Sequence, residues 1–296
     1  MSPPPVTRPP LEGPGGLHFD ADRAATRPRD AATLLVLRDG APLRGEAGGL
    51  ELFCVRRHAK SAFMGGVVVF PGGKLDDADR DPALARLTTG APPRSEIFAA
   101  PEAPGLALAI CACREALEEA TLLPAEPRIA DPDPLRRRLA EGTSFAELLR
   151  AEGLTLATAD LAPFARWVTP EAEARRYDAR FFLARAPDGQ PGRHDDHETV
   201  SSLWASPQRL LQAFDSGDIQ LAPPTTRCLE LLATVTTVEA ALALAAEQSL
   251  LPICPQLVPG DELVLALPGD PAHDVAEARV AGSTRFVLRD GRLVSA

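Results

Sequence analysis

The order of strands and helices in the sequence predicts an α+β protein or an α/β/α sandwich, with a mixed β-sheet. Strand-like and helical segments alternate irregularly, unlike the regular strand–helix alternation of a parallel α/β protein. Hydrophobic residues make up 45% of the 296 residues, enough to bury a large core. The sequence contains no internal repeat that would indicate a solenoid or a propeller.

Composition divides the chain into three parts. Residues 1–30 are rich in proline and are expected to be largely disordered. The main domain is expected over residues 31–235, and residues 236–296 are expected to form a C-terminal extension. Within the main domain, residues of about 80–105 have little periodicity and are expected to form an insertion that loops away from the next helix.

Strands are predicted where short aliphatic segments are bounded by glycine, aspartate or proline, and helices where apolar residues recur every three or four positions. The predicted strands are residues 32–38, 50–56, 66–70, 164–169, 177–184, 199–204, 262–267 and 284–288. The predicted helices are residues 106–122, 134–141, 144–152, 207–214 and 225–247, the last with a break near Thr236. Residues 187–198 are predicted to form a polar hairpin turn.

Composition also restricts the partners and the compartment. A net charge of −10 argues against nucleic-acid binding, although bound divalent cations would still allow a phosphorylated small molecule. No segment has the roughly 18 apolar residues of a membrane helix, and no secretory signal is recognised. Five cysteines without a CxxC pair favour a reduced, cytoplasmic protein. The oligomeric state is left open.

The predicted helix 106–122 carries a cluster of carboxylates opposite its apolar stripe. Glu115, Glu118 and Glu119 lie within an arc of roughly 100°. Three adjacent carboxylates repel one another, and a hard divalent cation that prefers oxygen ligands removes this repulsion. The alternative is a solvated acidic surface, as on most glutamate-rich helices. The preceding Pro71-Gly72-Gly73 turn and acidic loop favour the metal site.

These segments resemble the signature of the Nudix hydrolases, G-x5-E-x7-R-E-U-x-E-E-x-G-U, in which U is aliphatic. The matching positions are Gly73, Arg114, Glu115, Glu118, Glu119 and Leu122. The departures are Asp79 for the first glutamate, Ala116 for the aliphatic residue and Thr121 for the late glycine. Arg114 follows Asp79 by 35 positions instead of 8, an excess of 27. Lengthening a flexible loop in this way costs only ~1.4 kcal/mol.

One branch of the superfamily carries an insertion at this same place. The chain resembles that branch, which includes the peroxisomal coenzyme A diphosphatases and their bacterial relatives, and shares its Val-Phe-Pro-Gly-Gly segment at residues 69–73. Residues 167–170, 177–184 and 222–226 resemble the same branch with lower specificity.

The resemblance implies a Nudix-type sandwich and metal-dependent hydrolysis of a pyrophosphate bond in a small-molecule nucleotide substrate. Coenzyme A or acyl-CoA is the leading substrate, with 4′-phosphopantetheine and adenosine 3′,5′-bisphosphate as products. ADP-ribose, NADH and dinucleoside polyphosphates are the rival substrates. A Nudix module that binds a nucleotide without catalysis is a further alternative, against which the three retained glutamates argue.

The resemblance and the chemistry together assign roles to individual residues. Glu115, Glu118, Glu119 and the Gly73 carbonyl are expected to hold Mg²⁺ or Mn²⁺. Arg114 is expected to orient these glutamates or to pair with Asp76 or Asp79.

Two further assignments come from outside the signature. Glu198 is a candidate for the proton acceptor outside the signature, and a glutamate of the signature is the other candidate. Alternatively, Glu198 is an exposed loop residue without a catalytic role. Arg56 and Arg57, in a basic cluster with His58, are candidates to bind a substrate phosphate.

Overall fold

The computed structural model describes residues 11–20, 22–40, 48–58, 65–195 and 199–296. Its strands are β1 (Leu11–Gly13), β2 (Leu17–Phe19), β3 (Arg29–Asp39), β4 (Leu50–Arg57), β5 (Val68–Val69), β6 (Gly72–Lys74), β7 (Ala125–Glu126), β8 (Thr155–Leu156), β9 (Ala162–Val168), β10 (Tyr177–Arg185), β11 (Thr199–Ala205), β12 (Gln256–Leu257), β13 (Val264–Ala266), β14 (Arg285–Arg289) and β15 (Arg292–Ser295). Its helices are α1 (Pro82–Ala85), α2 (Gly105–Ala120), α3 (Asp133–Ala140), α4 (Phe145–Glu152), α5 (Pro207–Asp215), α6 (Pro223–Leu232) and α7 (Val238–Glu247). Short 3₁₀ turns occur at Pro14–Gly16, Asp77–Arg80, Ser95–Ile97 and Thr158–Asp160.

The central sheet has the strand order β11-β4-β3-β10-β9, with β5 paired to β4 and β6 paired to β3. Strands β3 and β10 run parallel, whereas β4, β9 and β11 run antiparallel to their neighbours. The predicted mixed sheet is therefore confirmed. Strand β3 is apolar on both faces because helices cover both sides of it.

Two hydrophobic clusters lie on opposite faces of this sheet. Ala32, Leu34 and Val36 of β3 pack in the cluster that contains α2. Leu35 and Leu37 pack in the cluster that contains residues of α5, α6, α7 and the C-terminal strands. Because successive side chains of a strand point to opposite faces, β3 contributes to both cores, and β4 and β10 do the same. The predicted α/β/α sandwich is thus confirmed.

Helix α2 is buried on nearly all sides, which differs from the predicted amphipathic pattern. The expectation that the insertion loops away from this helix is wrong. Leu84, Phe98 and Ala103 of the insertion are buried in the same core cluster as α2. The insertion has no apolar periodicity because isolated residues between turns, rather than a regular face, make these contacts.

Disorder was expected over residues 1–30, and the described part of that segment corrects this expectation. Strands β1 and β2 form a hairpin in which Leu17 and Phe19 are buried. The hairpin is attached to the main domain because the backbone N–H of His18 donates to Glu173 Oε2 at 2.9 Å. Residues 1–10 and 21 lie outside the described residues.

The predicted hairpin between β10 and β11 is also wrong. Strand β10 pairs with β3 on one side and β9 on the other, so β11 pairs with β4 instead. The connecting segment runs past the C-terminal end of α2, where the Gln190 side chain bonds to the backbone N–H of Leu123 at 2.8 Å and the carbonyl of Ile129 at 2.9 Å. Strand pairing is non-local and leaves no signal in the turn itself.

The predicted break near Thr236 is confirmed, because α6 ends at Leu232 and Thr237 caps α7 by accepting from the Ala240 N–H at 3.2 Å. The C-terminal strands form a separate four-stranded sheet, β12 to β15. Ile253 precedes this sheet and bridges Trp167 of β9. Where the main domain ends, at residue 235 or later, stays a prediction.

No helix among the described residues is long and apolar enough to cross a bilayer.

Candidate active site

The two halves of the interrupted signature meet in one cavity. Gly73, Glu115 and Glu118 all line it, as the sequence analysis requires. A Cβ on Gly73 would stand 2.5 Å from Glu115 Oε1, so the glutamate occupies the space that any side chain at position 73 would need. The long insertion between the halves therefore leaves their contact intact.

Strand β6 fixes the glycine loop against the sheet. Gly73 pairs with Ala32 of β3, and a Cβ on Gly72 would meet Thr33 Oγ1 at 2.6 Å. The backbone N–H of Gly72 donates to Glu119 Oε2 at 3.0 Å. Both positions therefore require glycine, because neighbouring atoms lie too close for a side chain, and Glu119 is hydrogen-bonded directly to the loop.

Arg114 is held by a buried carboxylate from the other side of the insertion. Its Nε and Nη2 donate to the two oxygens of Asp79 at 2.8 and 3.0 Å. Asp79 is only 1% exposed and also accepts from the backbone N–H of Asp76 at 2.9 Å. The expected pairing is present, and aspartate replaces the glutamate of the signature in it. A bidentate pair of this kind fixes orientation as well as distance.

The same guanidinium reaches the glutamates of α2. Its Nη1 donates to Glu115 Oε1 at 2.8 Å and to Glu118 Oε2 at 3.1 Å, while Nη2 donates to the Lys74 carbonyl at 3.2 Å. One arginine therefore links the glycine loop, the acidic turn and two carboxylates. That Arg114 orients the glutamates for metal binding stays a prediction.

Burial changes the acidity of two of these carboxyl groups. Desolvation raises the pKa of Glu115 to about 7, although the Arg114 charge acts in the opposite direction. Desolvation also raises the pKa of Glu118, again against the effect of Arg114. The single positive charge of Arg114 therefore does not fully offset the cost of burying the charged forms of Glu115 and Glu118.

The donor set fits a hard divalent cation. Among the described residues, no three carboxylate, imidazole or thiolate groups already converge on a common point. Glu115 and Glu118 nevertheless supply oxygen donors to the cavity beside the Gly73 backbone. Burial raises the pKa of both groups by disfavouring the charged form, and a bound Mg²⁺ or Mn²⁺ would favour that charged form.

The two arginines of the basic cluster do not act together. Arg57 lines the cavity, and its Nη1 lies 3.9 Å from Glu119 Oε1. Arg56 is exposed, does not line the cavity, and donates from Nε to the Gly66 carbonyl at 3.2 Å. Adjacent strand residues point to opposite faces, so only one of the pair faces the site. Glu198 lies outside the described residues, and its role stays a prediction.

The cavity has a volume of about 590 Å³ and extends well beyond the signature. Its remaining walls include apolar residues from the N-terminal hairpin, strands β9 and β10, and the C-terminal sheet. These are Leu17, Phe19, Trp167, Phe181, Leu265 and Leu293, hereafter the apolar wall. These residues carry no sequence signal for a site, since short apolar segments look alike whether they line a cavity or fill a core.

Thr121 occupies the position of the late glycine in the signature. It ends α2 in the left-handed conformation, with φ of 53°. Its hydroxyl donates to the Arg193 carbonyl at 3.1 Å, a contact that glycine could not make. This departure therefore preserves the end of the helix.

The chain is similar to known proteins over most of its length. The family model described as the NUDT19 Nudix domain matches residues 93–231. Acyl-coenzyme A diphosphatase NUDT19 of Gallus gallus is 30% identical, and the match covers 88% of this chain and 85% of that protein. The protein of the same name from Homo sapiens is also 30% identical, with 76% and 72% covered. The crystal structure of a NUDIX hydrolase from Alicyclobacillus acidocaldarius matches with a TM-score of 0.64 at 30% identity, covering 74% of this chain and 97% of that one.

The Asp79–Arg114 pair should contribute strongly to stability. Asp79→Asn keeps the shape of the side chain but removes the buried negative charge that accepts from Nε and Nη2 of the guanidinium. Breaking a buried pair on one side typically costs about 3–5 kcal/mol. Urea denaturation should show a loss of that order, whereas Asp77→Asn, in the same turn but fully exposed, should leave the midpoint unchanged. Equal effects of the two substitutions would contradict the structural role of the pair.

Glu115 should make the metal-free protein less stable as pH rises. Its folded pKa of about 7 lies above its ordinary value of 4.5, so the protonated form contributes stability below pH 4.5 that is lost as pH rises through 7. The loss should be on the order of 3 kcal/mol. Denaturation in EDTA at pH 5 and pH 8 measures it. Glu115→Gln should reduce the difference in unfolding free energy between the two pH values, whereas Glu126→Gln, on the surface, should not change it. The same difference in Glu115→Gln as in the unaltered protein would refute the raised pKa of Glu115.

Proposed function

Because this chain belongs to the Nudix hydrolases, we propose that it hydrolyses the pyrophosphate bond of coenzyme A or acyl-CoA with Mg²⁺ or Mn²⁺. Nudix hydrolases generally use divalent cations, and the chain is a pyrophosphohydrolase of this family. The observation that carries the proposal is the junction of Gly73, Glu115 and Glu118 in a cavity that continues along an apolar wall. Such a cavity suits a substrate with a charged centre and a less polar arm.

The reaction requires attack on an anionic phosphorus centre. When bound, the divalent cations supply charge neutralisation at the pyrophosphate and a water of lowered pKa. Glu115, Glu118 and Glu119 would hold the cations, with the Gly73 carbonyl as a further oxygen donor. Arg114 keeps Glu115 and Glu118 in place through the two hydrogen bonds from Nη1.

The proton acceptor has two candidates. Glu198 precedes β11 and stays the distal candidate; a glutamate of α2 is the alternative. Glu118 is the more accessible of the two α2 glutamates bonded to Arg114, with 37% of its side chain exposed against 11% for Glu115. It is therefore the α2 residue best placed to exchange a proton with water.

The substrate assignment draws on the named relatives and on the charge of the cavity. The two relatives are named acyl-coenzyme A diphosphatases. Arg57 adds a positive charge to the cavity wall, where the 3′-phosphate or the pyrophosphate of coenzyme A needs one. The products would be 4′-phosphopantetheine and adenosine 3′,5′-bisphosphate. ADP-ribose, NADH and dinucleoside polyphosphates are the rivals to exclude.

A binding module without catalysis is the competing class. This class is disfavoured because Arg114 is buried and donates hydrogen bonds to Glu115 and Glu118. Nucleotide binding alone does not require glutamates held in this way. We also propose a reducing compartment, the cytoplasm, because all five cysteines are free thiols.

Removal of a single glutamate charge tests the metal site. Glu118→Gln and Glu119→Gln should each lower kcat by ~10²–10³ with Mg²⁺, because an electrostatic element of the site is lost. In the absence of metal, Glu118→Gln should leave stability unchanged or slightly higher, because repulsion is relieved. Glu126→Gln is the matched surface control. Near-normal turnover in both active-site variants would mean that the metal binds elsewhere.

Coenzyme A and dephospho-coenzyme A, which differ in the 3′-phosphate, separate the roles of the two arginines. If Arg57 binds that phosphate, Arg57→Ala should reduce the preference for coenzyme A about tenfold or more in kcat/KM. Arg56→Ala should leave the ratio unchanged, since Arg56 does not line the cavity. Chromatography of the products measures both. An equal loss on the two substrates would assign Arg57 to the pyrophosphate, and faster turnover of ADP-ribose or NADH would defeat the coenzyme A assignment.

A further inference from the structure

The apolar wall includes residues from both ends of the chain. Leu17 and Phe19 come from the N-terminal hairpin, while Leu265 and Leu293 come from β13 and β15 of the C-terminal sheet. All four are at most 6% exposed and belong to one hydrophobic cluster. Neither end belongs to the signature, yet both contribute to the cavity that contains it.

Specific polar contacts hold these segments in place. The side chain of Arg227 in α6 is 1% exposed and donates from Nη1 to the Ala281 carbonyl at 2.9 Å and from Nη2 to the Ser283 carbonyl at 2.5 Å. Asp270 accepts from Arg285 Nε at 2.7 Å within the C-terminal sheet. These contacts attach the C-terminal part of the chain, which carries Leu265 and Leu293, to α6.

The chemistry of the wall favours an alkyl chain over a nucleobase. The leucine side chains at positions 17, 265 and 293 line the cavity with atoms that neither donate nor accept hydrogen bonds. An alkyl chain gains about fourfold in affinity for each methylene that it buries there. A purine would gain stacking on Phe19 or Phe181, but its ring edges carry donors and acceptors that the leucines cannot satisfy.

Trp167 supplies a hydrogen-bond donor within the apolar wall. It lines the cavity and is 3% exposed, and its indole N–H is buried without an acceptor among the described residues. Buried donors of this kind are normally hydrogen-bonded. An amide or thioester carbonyl on an otherwise apolar arm would provide the acceptor.

We propose that the apolar wall binds the acyl–pantetheine arm of the substrate, with Trp167 donating a hydrogen bond to a carbonyl of that arm. This inference rests on the proposed function, because it assigns the arm of an acyl-CoA to a surface beside the pyrophosphate site. The N-terminal hairpin and the C-terminal sheet then determine selectivity for the acyl chain.

Octanoyl-pantetheine tests the wall separately from catalysis, since it contains the arm but neither pyrophosphate nor nucleotide. Calorimetric titration into the full chain in EDTA should show binding. Leu265→Phe, which narrows the cavity, should weaken it about tenfold or more. Leu263→Phe is the matched control, because Leu263 is equally buried at 2% exposure but does not line the cavity. Trp167→Phe, which replaces the indole by a smaller phenyl ring without an N–H, should weaken binding roughly tenfold.

Each outcome decides one question. Loss of octanoyl-pantetheine binding in Leu265→Phe but not in Leu263→Phe supports the subsite. No binding to the unaltered protein, or equal weakening by both substitutions, overturns it. Weakened binding of adenosine 3′,5′-bisphosphate by Leu265→Phe, with octanoyl-pantetheine unaffected, would assign the wall to the adenine and also overturns it. Binding of octanoyl-pantetheine without hydrolysis of any acyl-CoA would reject the proposed function and leave the subsite standing.

Discussion

The buried ion pair between Arg114 and Asp79 is the interaction on which the site depends. The two residues belong to different halves of the signature, and without Arg114 the 1% exposed Asp79 would lose the cation that compensates its buried charge. Such a charge is strongly unfavourable in a protein interior, so the fold must bring the halves together. Once Asp79 has fixed the guanidinium, its remaining donors position Glu115 and Glu118. The glycine loop and the glutamate helix are thereby one unit.

The insertion takes part in this unit as a structural element. Leu84 and Phe98 are buried against α2, so the insertion covers the helix surface that would otherwise face water. Arg94, in the left-handed conformation, donates to the Ala246 and Gln248 carbonyls at 2.6 and 2.8 Å and so covers the C-terminal end of α7. The insertion therefore joins the signature helix to the C-terminal part of the chain.

Local patterns in the sequence predict the elements and the chemistry of the site better than they predict its shape. Helical spacing placed Glu115, Glu118 and Glu119 on one surface, and the glycines before them indicated a tight approach. The same patterns do not show which strands pair, and the predicted hairpin between β10 and β11 failed for that reason. They also do not separate Arg56 from Arg57, or a leucine in a cavity wall such as Leu265 from one in a core, because those distinctions arise from tertiary packing.

The most direct test of this account is to locate the metal. Crystals of the protein grown with Mn²⁺ would reveal each ion by its anomalous scattering. We expect the peaks to be bounded by the carboxylates of Glu115, Glu118 and Glu119 and by the backbone oxygen of Gly73. The ion pair between Arg114 and Asp79 should remain intact. Peaks bound only at other carboxylates, or ions that displace Arg114 from Asp79, would contradict it.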